Sequence, residues 1–319
     1  MIEVKNLTKR YGNHLAVDHL NFTVESGKIY GFLGPNGAGK STTMNIMTGY
    51  LGATEGQVLI DGHDILQEPE EAKKNIGYLP EIPPLYMEMT VREYLEFAAE
   101  LKGIKKDKRE PQIEEVIRLA KLRDVENRLI QNLSKGYKQR VGLAQAVLGF
   151  PEIIILDEPT VGLDPKQIIE IRELIRKLAK KHTVILSSHI LAEVREVCDY
   201  IMIISGGKLV ASDTTENLEN MMSGKGQIEV EAKASRDEMD HIICRTGKIK
   251  EVKYRTSASG ITTAQIIAKG GEDIREELFL AFSHADVPML TLNQSKTTLE
   301  EIFLELTQGS GNRMIKEEK

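Results

Sequence analysis

Along the first two thirds of the chain, short runs of β-branched and aliphatic residues alternate with longer stretches in which apolar positions recur every three or four residues. Strand-like runs fall at Lys28 to Leu33, Ile153 to Leu156 and Thr183 to Ser187, while helical spacing fills Lys40 to Gly49 and Pro165 to Lys181. That alternation predicts an α/β core, a buried parallel sheet flanked by helices. Between Tyr86 and Phe150 the strand signal disappears. Apolar residues recur there at helical spacing, in Val91, Tyr94, Leu95, Ala98 and Leu101 and again in Ile113, Val116, Ile117 and Ala120, which predicts a helical insertion over about 86–150. The charged stretch Lys102 to Gln112, with Gly103 and Pro111, is expected to be a loop between its helices.

A second boundary is expected near Met221-Met222-Ser223-Gly224-Lys225-Gly226, where a helical pattern stops at small, turn-forming residues. It divides the chain into a domain over 1–222 and another over 223–319. The second reads strand (Ile228 to Ala232), helix (Arg236 to Arg245), strand (Ile249 to Arg255), strand (Ile261 to Ala268), helix (Asp273 to His284) and strand (Val287 to Leu292). This is βαββαβ, the order of a small ferredoxin-like α+β domain. A last helix has Thr298 and Glu301 in capping-box positions and Leu299, Ile302, Phe303 and Leu306 on one face. That stripe packs either on its own domain or at a subunit interface.

Composition narrows the function classes. With 319 residues, 41% hydrophobic and 5% aromatic, the chain has apolar material for about two ordinary cores. The longest apolar runs are strand-sized, far short of the roughly 20 residues of a membrane-spanning helix. The start, MIEVKNLTKRY, carries charges where a signal peptide would be apolar. A cytosolic chain is expected, with any membrane role exercised through a separate partner. The net charge of −6 argues against coating nucleic acid, which needs excess positive charge to displace counterions. Cys198 and Cys244 lie far apart, with no metal or redox spacing, and read as inert fillers in a reducing compartment.

The chemistry is concentrated in Gly34-Pro35-Asn36-Gly37-Ala38-Gly39-Lys40-Ser41, two glycines flanking four residues and followed by Lys and Ser. A strand precedes it and a helical run follows, the context of a phosphate loop. Gly34, Gly37 and Gly39 let the backbone wrap a phosphate closely, with a helix N-terminus behind it. Lys40 would reach the β- and γ-phosphates and Ser41 would ligate magnesium, with Asn36 and Thr42 counted among the nucleotide contacts. Such a site needs an apolar strand ending in a carboxylate, which Ile153-Ile154-Ile155-Leu156-Asp157-Glu158 supplies. Asp157 takes the magnesium side. Glu158, pointing the other way, is placed to accept a proton from a water attacking the γ-phosphate.

Together these motifs make residues 2–220 resemble the nucleotide-binding subunit of an ABC transporter. Leu133-Ser134-Lys135-Gly136-Tyr137 is similar to that family's signature, with Lys135 and Tyr137 where the consensus has Gly and Gln. Gly162-Leu163-Asp164 resembles the D-loop, His189 the switch histidine and Tyr11 the aromatic that stacks on adenine. Read alone, the signature is an ordinary helix start, His189 a surface histidine and Tyr11 a strand-end aromatic; their order around the phosphate loop is what favours the family roles. The resemblance implies two ATP-bound subunits, a homodimer or a paired ATPase, each ATP lying between one phosphate loop and the partner's signature with its Ser134 and Gly136; Asp164 is counted among the nucleotide-binding residues. It also implies attachment to the cytoplasmic face of the membrane through a polytopic permease. Where the family usually has a glutamine this chain has Glu81, a third candidate near magnesium, which either tunes coupling or is a spectator. The C-terminal extension resembles that of drug-, antibiotic- and gliding-motility-type exporters. A soluble ABC ATPase acting on ribosomes or nucleic acid is the other class; such proteins carry paired nucleotide-binding units or a long coiled-coil insertion, and neither is read here. A regulator that scarcely hydrolyses ATP is disfavoured by Glu158 and His189.

Overall fold

The computed structural model describes residues 1–218, 227–257 and 260–295, together with positions 303 and 307. It contains two compact units, one built on Met1–Thr215 and one on Glu216–Glu305. The boundary expected after position 222 and the last helix expected over 298–306 fall outside the described residues, apart from Phe303, which is helical.

The first unit holds two sheets. Strands β1 (Ile2–Tyr11), β2 (His14–Val24), β4 (Glu55–Ile60) and β5 (His63–Asp64) form an antiparallel sheet in the order β2-β1-β4-β5. Sequence reading did not anticipate this sheet. Its alternation starts at Ile2 and Val4 but is broken at Asn6, whose φ is +49°, and the β1–β2 register shifts beside it. A bulge of this kind erases the period of two by which strands are recognised. The other sheet has the order β10-β9-β3-β8-β7-β6, from β3 (Ile29–Leu33), β6 (Ile76–Leu79), β7 (Ile153–Leu156), β8 (Thr183–Ser188), β9 (Tyr200–Ser205) and β10 (Lys208–Thr214). All pairings in it are parallel except β9 with β10. Every residue of β3, β7 and β8 is buried, as expected of strands covered on both faces. Phe32 from β3 and Met44, Ile46 and Met47 from α1 (Lys40–Met47) share one core with Ile2, Leu7 and Leu20 of the antiparallel sheet, so the two sheets close over that helix.

After β5, α2 (Pro69–Lys74) leads into β6, and α3 (Val91–Leu101), α4 (Lys106–Leu119) and α5 (Lys135–Val147) make up the helical segment. Its start is fixed by a capping box between Thr90 and Glu93. The loop expected over Lys102 to Gln112 is a correction: α4 begins at Lys106 and carries Pro111 inside it. Pro111 and Asp107, four residues earlier, both lie on the exposed side, so water can satisfy the carbonyl that proline leaves without a donor. Arg92 then fastens the helix, pairing with Glu110 at 2.9 Å and with Glu114. Two further helices, α6 (Pro165–Leu178) and α7 (Leu191–Val197), precede β8 and β9.

The second unit runs β11 (Gln227–Ala232), α8 (Arg236–Cys244), β12 (Ile249–Thr256), β13 (Thr262–Ala268), α9 (Arg275–His284) and β14 (Met289–Ser295). Its strands lie in the order β12-β13-β11-β14, every neighbour antiparallel. Alternate positions Ile228, Val230 and Ala232 face Met239, Ile243, Leu278 and Phe282 of the two helices, which gives the unit a core of its own. The βαββαβ order is the expected one, with strand and helix ends moved by one to three residues.

Candidate nucleotide site

Strands β3, β8 and β7 are neighbours, and each ends at the same edge of the sheet, with Leu33 opposite Ser188 and Leu156 opposite Leu186. The phosphate loop, the Asp157-Glu158 pair and His189 therefore leave adjacent strand ends, which is where ligands bind in open α/β sheets. A cavity of ≈ 490 Å³ opens there, lined by Tyr11, Asn36, Gly37, Gly39, Lys40, Ser41, Thr42, Glu81, Glu158 and His189, along with His14, Ala16, Ala38 and Val161.

Two glycines are dictated by space, and one of them by backbone as well. Gly39 caps the N-terminus of α1 with φ 102°, and a Cβ there would stand 2.5 Å from the Ala16 carbonyl. A Cβ on Gly34 would run into the Ile204 carbonyl. Gly34 does not line the cavity; its carbonyl accepts from Lys40 Nζ at 2.8 Å. That ammonium is buried and also stands 3.4 Å from Glu158 Oε1. Ser41 Oγ donates to Asp157 Oδ1 at 3.2 Å. Burial pushes the Asp157 carboxyl above the usual carboxylate range, against the pull of hydroxyl donors from Ser187 and Ser41. A serine hydroxyl beside an aspartate is a hard-oxygen donor set, and it fits a magnesium ion that completes its shell with phosphates and water.

Glu158 has φ +47°, a left-handed backbone that is costly for a side chain bearing a Cβ. The bend turns its carboxylate away from Asp157 and onto His189, whose Nδ1 lies 2.9 Å from Glu158 Oε2. Ser187 steadies the strand end from behind, donating to Asp157 Oδ1 at 2.5 Å and accepting from the Glu158 N–H at 2.9 Å. Sequence reading missed Ser187, although its place two residues before His189 was the available signal. Tyr11 sits at the rim, 49% exposed, with Lys9 Nζ 5.4 Å from its ring centre.

Ser134, Gly136 and Asp164 are not in this cavity. They gather where α5 and α6 begin. Ser134 caps α5 and Asp164 caps α6, accepting from the Gln167 N–H at 2.9 Å. A Cβ on Gly136 would stand 2.5 Å from the Gln167 amide, and one on Gly162 would meet the Lys135 ammonium. Glu81 is shared between two cavities. The second, of ≈ 830 Å³, is lined by Ser41, Asp157 and Lys102 as well as by Tyr50 and Ile82, each of which is 83% exposed. Among the described residues no helix is long and apolar enough to cross a membrane.

The profile of the family described as ABC transporter matches residues 17–161. The bacitracin transport ATP-binding protein BcrA of Bacillus licheniformis is 35% identical over 311 residues, which are 97% of this chain and 98% of BcrA. The lantibiotic transport ATP-binding protein SrtF of Streptococcus pyogenes is 34% identical over 229 residues, 70% of this chain and 97% of SrtF. Among solved structures, an ATP-binding subunit of an ABC transporter superposes with a TM-score of 0.64 at 32% identity, covering 69% of this chain and 92% of that one. A dimeric ATP-binding cassette, MJ0796, bound to ADP and Pi in a post-hydrolysis state, gives 0.61 at 28% identity, covering 67% and 98%. With its phosphate loop, paired acidic residues and a relative matched across both units, the chain belongs to the ABC transporter family, as one of its ATP-binding, ATP-hydrolysing subunits.

Proposed function

We propose that this chain is the motor of an exporter of antibiotic-like compounds, seated on the cytoplasmic face of the membrane through a separate permease. The match to BcrA across both units carries this reading. SrtF, matched over nearly its whole length by 70% of this chain, supports treating the ATPase unit as the motor and 223–319 as an accessory domain. The second cavity suits the permease: exposed Tyr50 and Ile82 offer it apolar surface, and Glu81 borders the nucleotide cavity as well.

Two copies close around two ATP molecules. Lys40 and the phosphate-loop amides hold the phosphates of one, while the partner copy offers its α5 N-terminus from the other side. Ser41 and Asp157, with Glu81 alongside, would hold magnesium, which offsets phosphate charge when bound. Glu158 takes a proton from the attacking water as its oxygen bonds to the γ-phosphorus and the bond to the β-phosphate oxygen breaks, leaving ADP and phosphate. His189 keeps the Glu158 carboxylate turned toward that water. Glu158→Gln should bind ATP as the unaltered chain does, lose roughly 100-fold or more in turnover, and accumulate as an ATP-bound dimer on size-exclusion chromatography. Turnover close to that of the unaltered chain would remove Glu158 from this role.

A further inference from the structure

Glu193 is a buried acid in the first turn of α7, 6% exposed, outside the cavity and with no part in the chemistry above. Its Oε2 accepts from Thr160 Oγ1 at 2.6 Å and from Ser188 Oγ at 3.0 Å. Thr160 lies two residues after Glu158 and Ser188 immediately before His189. One carboxylate oxygen therefore ties the loop that leaves β7 to the last residue of β8, next to His189. The Ser188 hydroxyl in turn accepts from the Ile190 N–H at 3.0 Å, which carries the tie past His189 on its far side. Such a tie has work to do here, because Glu158 is held at φ +47°, a backbone state that persists only where its surroundings impose it. Burying a carboxyl is costly unless it is hydrogen-bonded, and here two hydroxyls converge on its Oε2.

We propose that Glu193 is a positioning residue that keeps Glu158 and His189 at their 2.9 Å separation. The inference rests on reading Glu158 as the proton acceptor. Misplacing a reacting group by about 1 Å can cost roughly 100-fold in rate without touching ground-state binding. In the full-length chain, Glu193→Ala should therefore lower kcat by about 10- to 100-fold and leave the Kd for ATP within about twofold. Glu193→Gln keeps an oxygen that can accept both hydroxyls and should stay within about threefold of the unaltered kcat. Thr160→Val added to Glu193→Ala should cost almost nothing more, since the two changes remove the same bond. If Glu193→Ala does not fold, Thr160→Val with Ser188→Ala strips both donors and should give the same loss of kcat at constant Kd.

An unchanged kcat in Glu193→Ala, a Glu193→Gln variant as slow as the alanine, or a kcat loss matched by lost ATP binding would each overturn the proposal. Glu158→Gln measured alongside separates the two readings. Fast turnover in that variant removes the parent reading, whereas slow turnover there with fast turnover in Glu193→Ala removes only the tie.

Discussion

The two ends of the ATPase unit share a plan, a helix N-terminus with a glycine at or near its first turn, Gly39 at α1 and Gly136 at α5, yet they differ in what surrounds them. At α1 the loop is enclosed: Lys40 is buried, Asp157 is desolvated, and Glu158 and His189 close the side. At α5 the loop is open. Ser134 and Lys135 are exposed, Gly136 abuts the Gln167 side chain in the first turn of α6, and the Lys135 ammonium lies against Gly162. One end can hold a nucleotide and act on it. The other can only present amide groups and a positive helix end to a phosphate brought by another molecule. On the reading proposed above, a single chain carries both halves of a catalytic site, but not in one place.

If so, damage at the two ends should have different consequences. Lys40→Ala should weaken ATP binding by roughly 100-fold or more, because in the proposed role its buried ammonium holds phosphate. Ser134→Arg should leave the Kd of the isolated subunit within about twofold and cut turnover by about 100-fold, since the open end serves the partner's nucleotide. Equilibrium binding of a non-hydrolysable analogue, measured beside steady-state ATPase rates, checks both. A smaller effect belongs to the rim. Base stacking is worth about 1–3 kcal/mol, so Tyr11→Ala should raise the Kd for ATP by about tenfold and leave kcat at saturating ATP unchanged. An equal effect on GTP and ATP is expected from stacking; selective loss of ATP would mean that Tyr11 reads the base edge.

The smallest effect is on stability. The carboxyl of Asp157 is raised in the folded chain, so its ionisation opposes folding: the stability it permits is complete below the ordinary carboxylate pKa and is lost as pH rises through the folded value. Asp157→Asn keeps the acceptor for Ser187 and Ser41 without the charge. Nucleotide-free protein carrying it should melt a few degrees higher at pH 7, with the gain vanishing near pH 3 where both chains are neutral at this position. A gain that persisted at pH 3 would trace to packing instead.

The enclosed end was far more legible in the sequence than the open one. Gly34, Gly39, Lys40, Ser41 and Asp157 announce themselves because phosphate and metal chemistry dictate residue type at fixed spacing, and the strands that carry them are short, apolar and buried on both faces. Ser187 and Glu193 carry no such mark. Their importance comes from which strands become neighbours, since β7 and β8 meet side by side although their residues are 30 apart in Ser187–Asp157. The antiparallel sheet was hidden by the bulge at Asn6. The helical start at Lys106 was hidden by Pro111, because a rule about proline in helix interiors does not register that this one faces water. The order of the βαββαβ unit was readable because β11 and β13 keep a period of two, Ile228, Val230 and Ala232 alternating on one and Ala264, Ile266 and Ala268 on the other.

Mixing Ser134→Arg chains with Lys40→Ala chains tests the central claim, that each site is assembled from the enclosed end of one copy and the open end of another, most directly. A mixed dimer has one site with intact Lys40 and intact Ser134 and another with both altered, whereas each single-variant dimer has two damaged sites. ATPase activity should therefore appear on mixing two inactive preparations, up to a fraction set by the share of mixed dimers. A dimer of unaltered and doubly altered chains has no site with both parts intact and should be inactive. Activity in that control with none in the mixture would contradict the account and place both parts of each site in one chain.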